Sequence, residues 1–315
     1  MSHKKNNKRI LITGINGFIG NALRKSLIEA GYDVWGIDKS SGSNDQIIPL
    51  DLLNYSEIVN VSSKLPTFST IILTAAIAHN KSVFDNKSIY KINVKILENT
   101  LTCFANSATH IIFLSSTSVY GEDKRYGLVD IADKLRPSSF YAFSKVIGED
   151  MINDVILNCD ILRLAPVYDE MHLTDVQKRI FFPFSHKFKM ILKPTPYYSF
   201  CSVKNVITAT LYILEKGPSG KQIYNLSDDL PYSQNSIAQC YNIPEIIIWK
   251  FFTLPIYWLT YFLPKTKGYS IRCLYWKIFN SNVYRNNLLK DSNVELDLKN
   301  DLLSLLKCLN KKYEK

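Results

Sequence analysis

Tyr141 and Lys145 stand four residues apart in the stretch Phe140-Tyr141-Ala142-Phe143-Ser144-Lys145. On a helix, positions i and i+4 share one face, so this phenol and this ammonium can meet at one site. A phenol alone titrates near pKa ~10 and is a poor base at neutral pH. A fixed cation beside it favours the phenolate and lowers that pKa. The pair is then a proton-transfer device near the operating pH. The same spacing arises by chance in any helix rich in tyrosine and lysine. Its meaning depends on whether the chain also supplies a cofactor and an acceptor. A second cluster, Ser115-Ser116-Thr117-Ser118-Val119-Tyr120-Gly121, follows the apolar run His110–Leu114. Four hydroxyl residues at a strand's carboxyl end either cap a turn or serve a site.

The elements that must position these groups are legible along the chain. Arg9-Ile10-Leu11-Ile12-Thr13 has strand character and leads into Gly14-Ile15-Asn16-Gly17-Phe18-Ile19-Gly20. A helix through about Ala30 follows, stopped by Gly31, and Asp33–Asp38 reads as the next strand. Strand, glycine turn, helix, strand is how a dinucleotide fold begins. The glycines permit a tight turn and close approach of a pyrophosphate, which the helix N-terminus attracts. The spacing is G-x-x-G-x-x-G, not the more common G-x-G-x-x-G. Asp38 ends the second strand, where a carboxylate would bind the adenosine ribose hydroxyls and repel a 2′-phosphate. That favours NAD over NADP, although the adjacent Lys39 weakens the preference. The plain alternative for Asp38 is a loop residue after a strand.

Ile47–Leu52 reads as a third strand and the region around Ser56–Lys64 as a helix. Thr70–Ala76 reads as a fourth strand, ending in small residues that leave room for a cofactor. His79 reads more simply as a solvated loop residue than as a catalytic base. A long helix spans roughly Ser88–Asn106 with Asn93 inside it, and Cys159–Leu164 is the next strand. Alternation of strand and helix over the first half predicts an α/β fold with a parallel, doubly wound sheet.

The chain has 315 residues, enough for one large domain or two medium ones, with 46% hydrophobic residues and a formal net charge of +10. A basic balance of this kind reflects a lysine-rich surface or attraction to an anionic substrate or membrane. No nucleic-acid motif is present. The basic Met1–Arg9 stretch runs into a strand, with no apolar signal region and cleavage site. The six cysteines show no C-x-x-C spacing, which suits reduced cytosolic thiols and no metal site.

Taken together these motifs resemble the extended short-chain dehydrogenase/reductase superfamily, in its NAD-dependent sugar epimerase/dehydratase branch. The resemblance rests on Thr13-Gly14-Ile15-Asn16-Gly17-Phe18-Ile19-Gly20, Asp51-Leu52, Ala75-Ala76, Ser115–Gly121, and Tyr141 with Lys145. Arg163–Tyr168 is similar to the family's Arg-x-x-x-Val-Tyr-Gly, with Asp169 in place of the last glycine. Tyr198–Asn205 and Gln222–Ser227 resemble a substrate-domain strand with its following helix and a returning strand. The resemblance implies a Rossmann-type sheet over residues 1–166, with later strands at about 197–227 interleaved, and a smaller substrate-binding domain over 167–315. It implies that Gly14, Asn16, Gly17, Phe18, Ile19 and Gly20 cradle the pyrophosphate of NAD and that Asp38 holds the ribose. Asp51 and Leu52 would flank the adenine, Ala75 and Ala76 would pass beneath the cofactor, and Asn93 and Pro166 would complete its site. Tyr141 would be the acid or base at a sugar C4 hydroxyl, Lys145 would bind the nicotinamide ribose, and Ser116 would bond the same hydroxyl. Thr117 is the alternative to Ser116 and a substrate contact.

The second half is irregular, aromatic and rich in proline. Residues 243–264, from Ile243 to Pro264, form a long apolar stretch interrupted by Glu245, Lys250 and Pro255. It reads as one or two short helices partly covering the core, as an interfacial segment meeting a membrane, or as a spanning helix. More loosely, it resembles a subgroup whose N-acetylhexosamine substrates sit on a polyprenyl diphosphate carrier, with Arg272 as the diphosphate ligand. The expected activity is sugar 4-epimerisation through a 4-keto intermediate, on a UDP- or polyprenyl-linked N-acetylhexosamine in surface polysaccharide biosynthesis. The rivals are a 4-ketoreductase making a 6-deoxy sugar and a non-enzymatic NAD sensor. A dehydratase is disfavoured because the Ser116-Thr117-Ser118 run carries no Asp-Glu pair. The expected setting is the cytoplasm, with peripheral contact at the inner face of the cell membrane through 243–264. Homodimerisation is a family expectation.

Overall fold

Short apolar runs bounded by turn residues become strands, and the periodic segments between them become helices. The computed structural model describes residues 8–40, 45–77, 86–121, 127–182, 185–288 and 301–313, so His79 lies outside the described residues. The first half gives β1 (Arg9–Thr13), α1 (Phe18–Glu29), β2 (Asp33–Asp38), β3 (Ile47–Pro49), α2 (Tyr55–Ser62) and β4 (Phe68–Leu73). It continues with α3 (Asn86–Phe104), β5 (Ala108–Ser116), β6 (Leu128–Val129), α4 (Phe140–Val155) and β7 (Cys159–Leu164). Then come β8 (Val167–Tyr168), α5 (Thr174–Gln177), β9 (Phe181–Phe182), β10 (Ser185–Lys193), β11 (Tyr197–Tyr198), β12 (Cys201–Ser202) and α6 (Val203–Lys216). The chain closes with β13 (Lys221–Leu226), β14 (Tyr232–Ser233), α7 (Gln234–Ala238), β15 (Glu245–Trp249), α8 (Lys250–Leu259), α9 (Lys265–Phe279), β16 (Val283–Tyr284) and α10 (Leu302–Tyr313).

A seven-stranded sheet has the order β13-β7-β5-β4-β1-β2-β3. β1 pairs in parallel with both β2 and β4, β2 with β3, and β4 with β5. The chain therefore starts mid-sheet, winds out to β3, and returns to β4 on the other side of β1. That reversal is the switch point at whose strand carboxyl ends open α/β sheets bind ligands. Ile10, Leu11 and Ile12 of β1 are fully buried, as a central parallel strand covered on both faces must be. On one face, Leu11, Ile71, Ile111 and Ile161 form a core with Leu97, Leu101 and Phe104 of α3. The helical residues recur at i, i+4 and i+7, the stripe that a helix turns toward a sheet. The architecture is the α/β, Rossmann-type sheet that the alternating pattern implies.

The chain divides into two compact units. One is built within Met1–Val119, Ser139–Arg163 and Ile207–Tyr224, the other within Tyr120–Ser138, Leu164–Val206 and Asn225–Lys315. This division differs from a boundary at 166. Residues 120–138 group with the second unit because β6 pairs with β16, more than 150 residues away in sequence. The second unit has its own aromatic core of Tyr168, Phe181, Tyr198, Phe200 and Tyr232. Its hub is the buried Asp228, which accepts from the Tyr168 and Tyr232 hydroxyls at 2.7 Å each, Ser202 N–H at 2.7 Å and Asn205 Nδ2 at 2.6 Å. Asp169, where the family pattern has glycine, makes its turn by accepting the N–H groups of Met171 and His172, both at 2.8 Å.

The apolar stretch 243–264 is not one or two helices throughout. Its first third is β15, which pairs with β10, since three consecutive isoleucines favour an extended chain. Then come α8, with Pro255 inside it, and a 3₁₀ turn over Thr260–Phe262. Among the described residues no helix is long and apolar enough to cross a membrane.

Candidate active site

Helix α4 begins at Ser139, whose Oγ accepts the Ala142 N–H at 3.1 Å and fixes the first turn. Tyr141 lies in that turn and Lys145 one turn on. Lys145 is buried, and its Nζ donates to the Leu114 carbonyl of β5 at 2.7 Å. That bond ties the reactive face of α4 to the end of the strand that carries Ser116. The same Nζ lies 5.8 Å from the centre of the Tyr141 ring and 4.7 Å from that of Phe113. Burial pushes the Lys145 ammonium down to about 8, against the opposing pull of the Glu149 carboxylate.

Glu149 is the residue that the sequence reading missed. It sits at 2% exposure and accepts from Arg163 Nη2 at 2.7 Å, Arg163 Nε at 3.1 Å and Ser115 Oγ at 2.5 Å. Tyr141, Lys145 and Glu149 form an i, i+4, i+8 series, so the periodicity of α4 was the signal that could have found it. The hydroxyl cluster therefore divides its labour. Ser115 holds Glu149. Ser116, half-buried at the carboxyl end of β5, accepts the Ser118 N–H at 3.2 Å. Thr117 is buried at 2% exposure, whereas the Ser118 hydroxyl is buried with no hydrogen-bond partner among the described residues.

The glycine turn lies at the switch point. Gly14 has φ +70°, and a Cβ there would come within 2.9 Å of Ala75 Cα. A Cβ on Gly20 would come within 2.2 Å of the Gly14 carbonyl oxygen. Gly17 is less constrained: its φ is −70°, and its Cβ would press on that carbonyl alone, at 3.1 Å. The missing side chain at Gly17 leaves the turn's outer surface open to close approach. Helix α1, which starts at Phe18 and contains Ile19, has no side-chain cap and no acid in its first turn. No acid of its own first turn therefore neutralises its positive end. These features fit a pyrophosphate.

Asp38 accepts the Asn16 N–H at 3.0 Å through one oxygen, and the Ser40 N–H at 3.1 Å and hydroxyl at 2.9 Å through the other. It thereby anchors the turn. Asn16 Nδ2 donates to Ser40 Oγ at 2.9 Å. Asp51 pairs with Lys39 at 3.0 Å, and its carboxyl is held below the usual range by the Leu53 N–H first and Lys39 second. Leu52 is buried, and its carbonyl accepts from Asn99 Nδ2 at 2.9 Å, a brace unseen in the sequence. Asn93 clamps the chain beyond β4, accepting the Ile77 N–H at 2.8 Å and donating to its carbonyl at 3.1 Å. It reaches Ser144 Oγ of α4 at 3.3 Å. Ala75, Ala76, Asn93, Phe113 and Lys145 line one cavity. The residues present fit a dinucleotide.

Pro166 and Arg272 belong to the second unit. The Pro166 carbonyl accepts the Cys201 N–H at 3.0 Å. The Arg272 guanidinium lies 4.2 Å from the centre of the Tyr261 ring, and its Nη1 donates to the Thr260 carbonyl at 3.2 Å.

Residues 10–227 match the family described as "NAD dependent epimerase/dehydratase family". Protein CapI of Staphylococcus aureus is 30% identical over 162 residues, 45% of this chain and 48% of that protein. The UDP-glucose 4-epimerase of Yersinia pestis is 26% identical over 176 residues, 49% of this chain and 52% of that enzyme. The chain thus spans about half the length of these curated relatives. Among solved structures, the UDP-Glc/GlcNAc 4-epimerase of Campylobacter jejuni superposes with a TM-score of 0.68 at 15% identity, over 98% of this chain and 99% of that one. The Bordetella bronchiseptica enzyme WbmG in complex with NAD gives 0.70 at 14% identity, over 99% and 97%. At such identities these likenesses show the fold.

Proposed function

The chain belongs to the NAD-dependent epimerase/dehydratase family, and we propose that it is a sugar 4-epimerase acting on a diphosphate-linked N-acetylhexosamine. The carrier is UDP or a polyprenyl chain, and the proposed setting is surface polysaccharide biosynthesis in the cytoplasm. The observation that carries this reading is the buried Lys145 held beside Tyr141, with no acid pair in the Ser116-Thr117-Ser118 run. That is equipment for moving one hydroxyl proton, without the second acid and base that eliminating water across C5 and C6 requires.

Gly14, Gly17, Gly20 and Asp38 would hold NAD, which would supply the acceptor and donor of a hydride at C4. The protein's part is the proton. The Tyr141 phenolate takes it from the C4 hydroxyl, while Ser116 hydrogen-bonds the same oxygen and steadies the developing carbonyl. The Lys145 cation stabilises the phenolate before the transfer. After the 4-keto sugar turns over in the site, Tyr141 returns the proton to the opposite configuration.

The test is conversion with only catalytic NAD. UDP-N-acetylglucosamine and UDP-N-acetylgalactosamine, with their polyprenyl-diphosphate counterparts, should reach one equilibrium mixture from either side. Stoichiometric NADH consumption on a 4-keto sugar, with no interconversion of the two hexosamines, would overturn the reading in favour of a ketoreductase.

A further inference from the structure

Helix α8 is built inside out. Its inward stripe is Lys250, Thr253 and Tyr257, continued by Thr260, and each of these engages α9. Lys250 Nζ reaches Asn280 just past the end of α9 and lies 5.2 Å from the centre of the Trp276 ring. Thr253 Oγ1 meets Tyr275 Oη at 3.0 Å, and Trp276 Nε1 donates to Tyr257 Oη at 3.2 Å. Arg272 holds the Thr260 carbonyl, and Gly268 lets α9 approach that same oxygen, where a Cβ would come within 2.3 Å. The polar and half-polar side chains thus face the protein.

The opposite face carries Phe251, Phe252, Ile256, Trp258, Leu259 and Phe262. Phe252 is 67% exposed and Phe262 87% exposed. A surface helix ordinarily turns such a stripe inward, and a contiguous exposed apolar patch marks a place where something else binds. Ile271 and Leu274 of α9 are exposed as well.

Two occupants compete, a second copy of the chain and a lipid surface, and charge separates them. From Ile246 to Phe279 the sequence holds no carboxylate; of its five cations, Lys250 and Arg272 turn inward to Asn280 and Thr260, which leaves Lys265, Lys267 and Lys277 of α9. An isologous dimer would bring this face against itself and oppose like charges. A bilayer with anionic headgroups supplies the missing sign. Trp258 and Tyr261, apolar in body and polar at the tip, are side chains that settle at a headgroup boundary. At ten residues, with Pro255 inside, α8 is too short to span a bilayer but suited to lie in its surface plane.

We infer that the outward face of α8, its 3₁₀ extension and α9 dock on an anionic lipid surface. The inference stands apart from the choice of sugar, because it rests on this face alone. Its test is co-sedimentation of the full chain with vesicles of phosphatidylcholine alone and of phosphatidylcholine with phosphatidylglycerol. Wild type should bind the anionic vesicles at least tenfold better than the neutral ones and lose that binding in high salt. The double substitution F252E/F262E should lose it too, with an unchanged melting temperature and NAD affinity, since both side chains stand in solvent. Failure to bind either vesicle, or equal binding to both, overturns the inference. So does a wild-type dimer that F252E/F262E converts to monomer, which would make the face an interface between copies.

Discussion

Tyr141→Phe deletes one oxygen from a half-buried side chain and leaves the ring, so α4 should keep its structure. If the phenol moves the proton, kcat should fall by about 10²–10⁴-fold while NAD affinity holds. Retained turnover would remove Tyr141 from the mechanism. Lys145 sets the alkaline side of the profile. With its ammonium lowered to about 8, activity should decline as pH rises through that value, because the cation that favours the phenolate is lost. The linkage sign follows from the same shift. Between about pH 8 and 10.5 the unfolded chain keeps a proton at this lysine that the folded chain has released, so stability gains from this site as pH rises across that window. Glu149→Gln removes the charge that holds the Lys145 value up. Its alkaline limb should therefore begin at lower pH than that of wild type, in a kcat-against-pH profile. A purely structural Glu149 would lower stability, by about 3–5 kcal/mol for an orphaned buried Arg163, without moving the limb. The Tyr141–Lys145 spacing was legible because it is local. Glu149 continues the series, but a carboxylate on a helix is usually solvated, and its burial depends on Arg163 from β7 and Ser115 from β5. No local pattern announces those partners.

The glycine turn offers a contrast between two positions in one element. At Gly14 an added methyl group meets both a positive φ and the Ala75 backbone. Gly14→Ala should cost about 1–3 kcal/mol from the backbone strain alone and abolish NAD binding. At Gly17 the backbone is ordinary and a Cβ would press only on the Gly14 carbonyl oxygen, at 3.1 Å, so Gly17→Ala should cost less stability than Gly14→Ala yet bind NAD more weakly. Thermal denaturation beside an NAD titration separates the two effects. Equal destabilisation by both substitutions would show that Gly17 serves packing and not ligand approach. The turn was readable because its glycines, its flanking strands and Asp38 all fall within thirty residues of one another. The strand β15 was not, because a short apolar run inside a longer apolar stretch does not separate buried helix from strand by its period. Its partner β10 lies more than fifty residues upstream, and that pairing decides the matter. Asn93 was placed by family resemblance, but its clamp on Ile77 is a tertiary contact that only folding reveals.

At the scale of the molecule, the seven-stranded sheet was legible because each of its units is a contiguous strand and helix with a clear period. The second unit was opaque for the opposite reason. Many of its strands are two residues long and pair far along the chain, as β6 does with β16 and β8 with β12. Its hub, Asp228, has no sequence signature either, since donors from four separate positions converge on one buried carboxylate. What the whole chain does declare is its charge. A formal net charge of +10 makes a positive field that attracts anions before any specific contact forms. Salt shortens the reach of that field, from about 10 Å at 0.1 M to about 3 Å at 1 M. The KM for a UDP-linked hexosamine should therefore rise steadily with ionic strength while kcat stays level, because the Lys145 cation that supports the proton transfer is buried, where salt screens little. A KM independent of salt would mean that the charge serves another anion, and a kcat that falls in step would place the salt-sensitive contact in the chemical step itself.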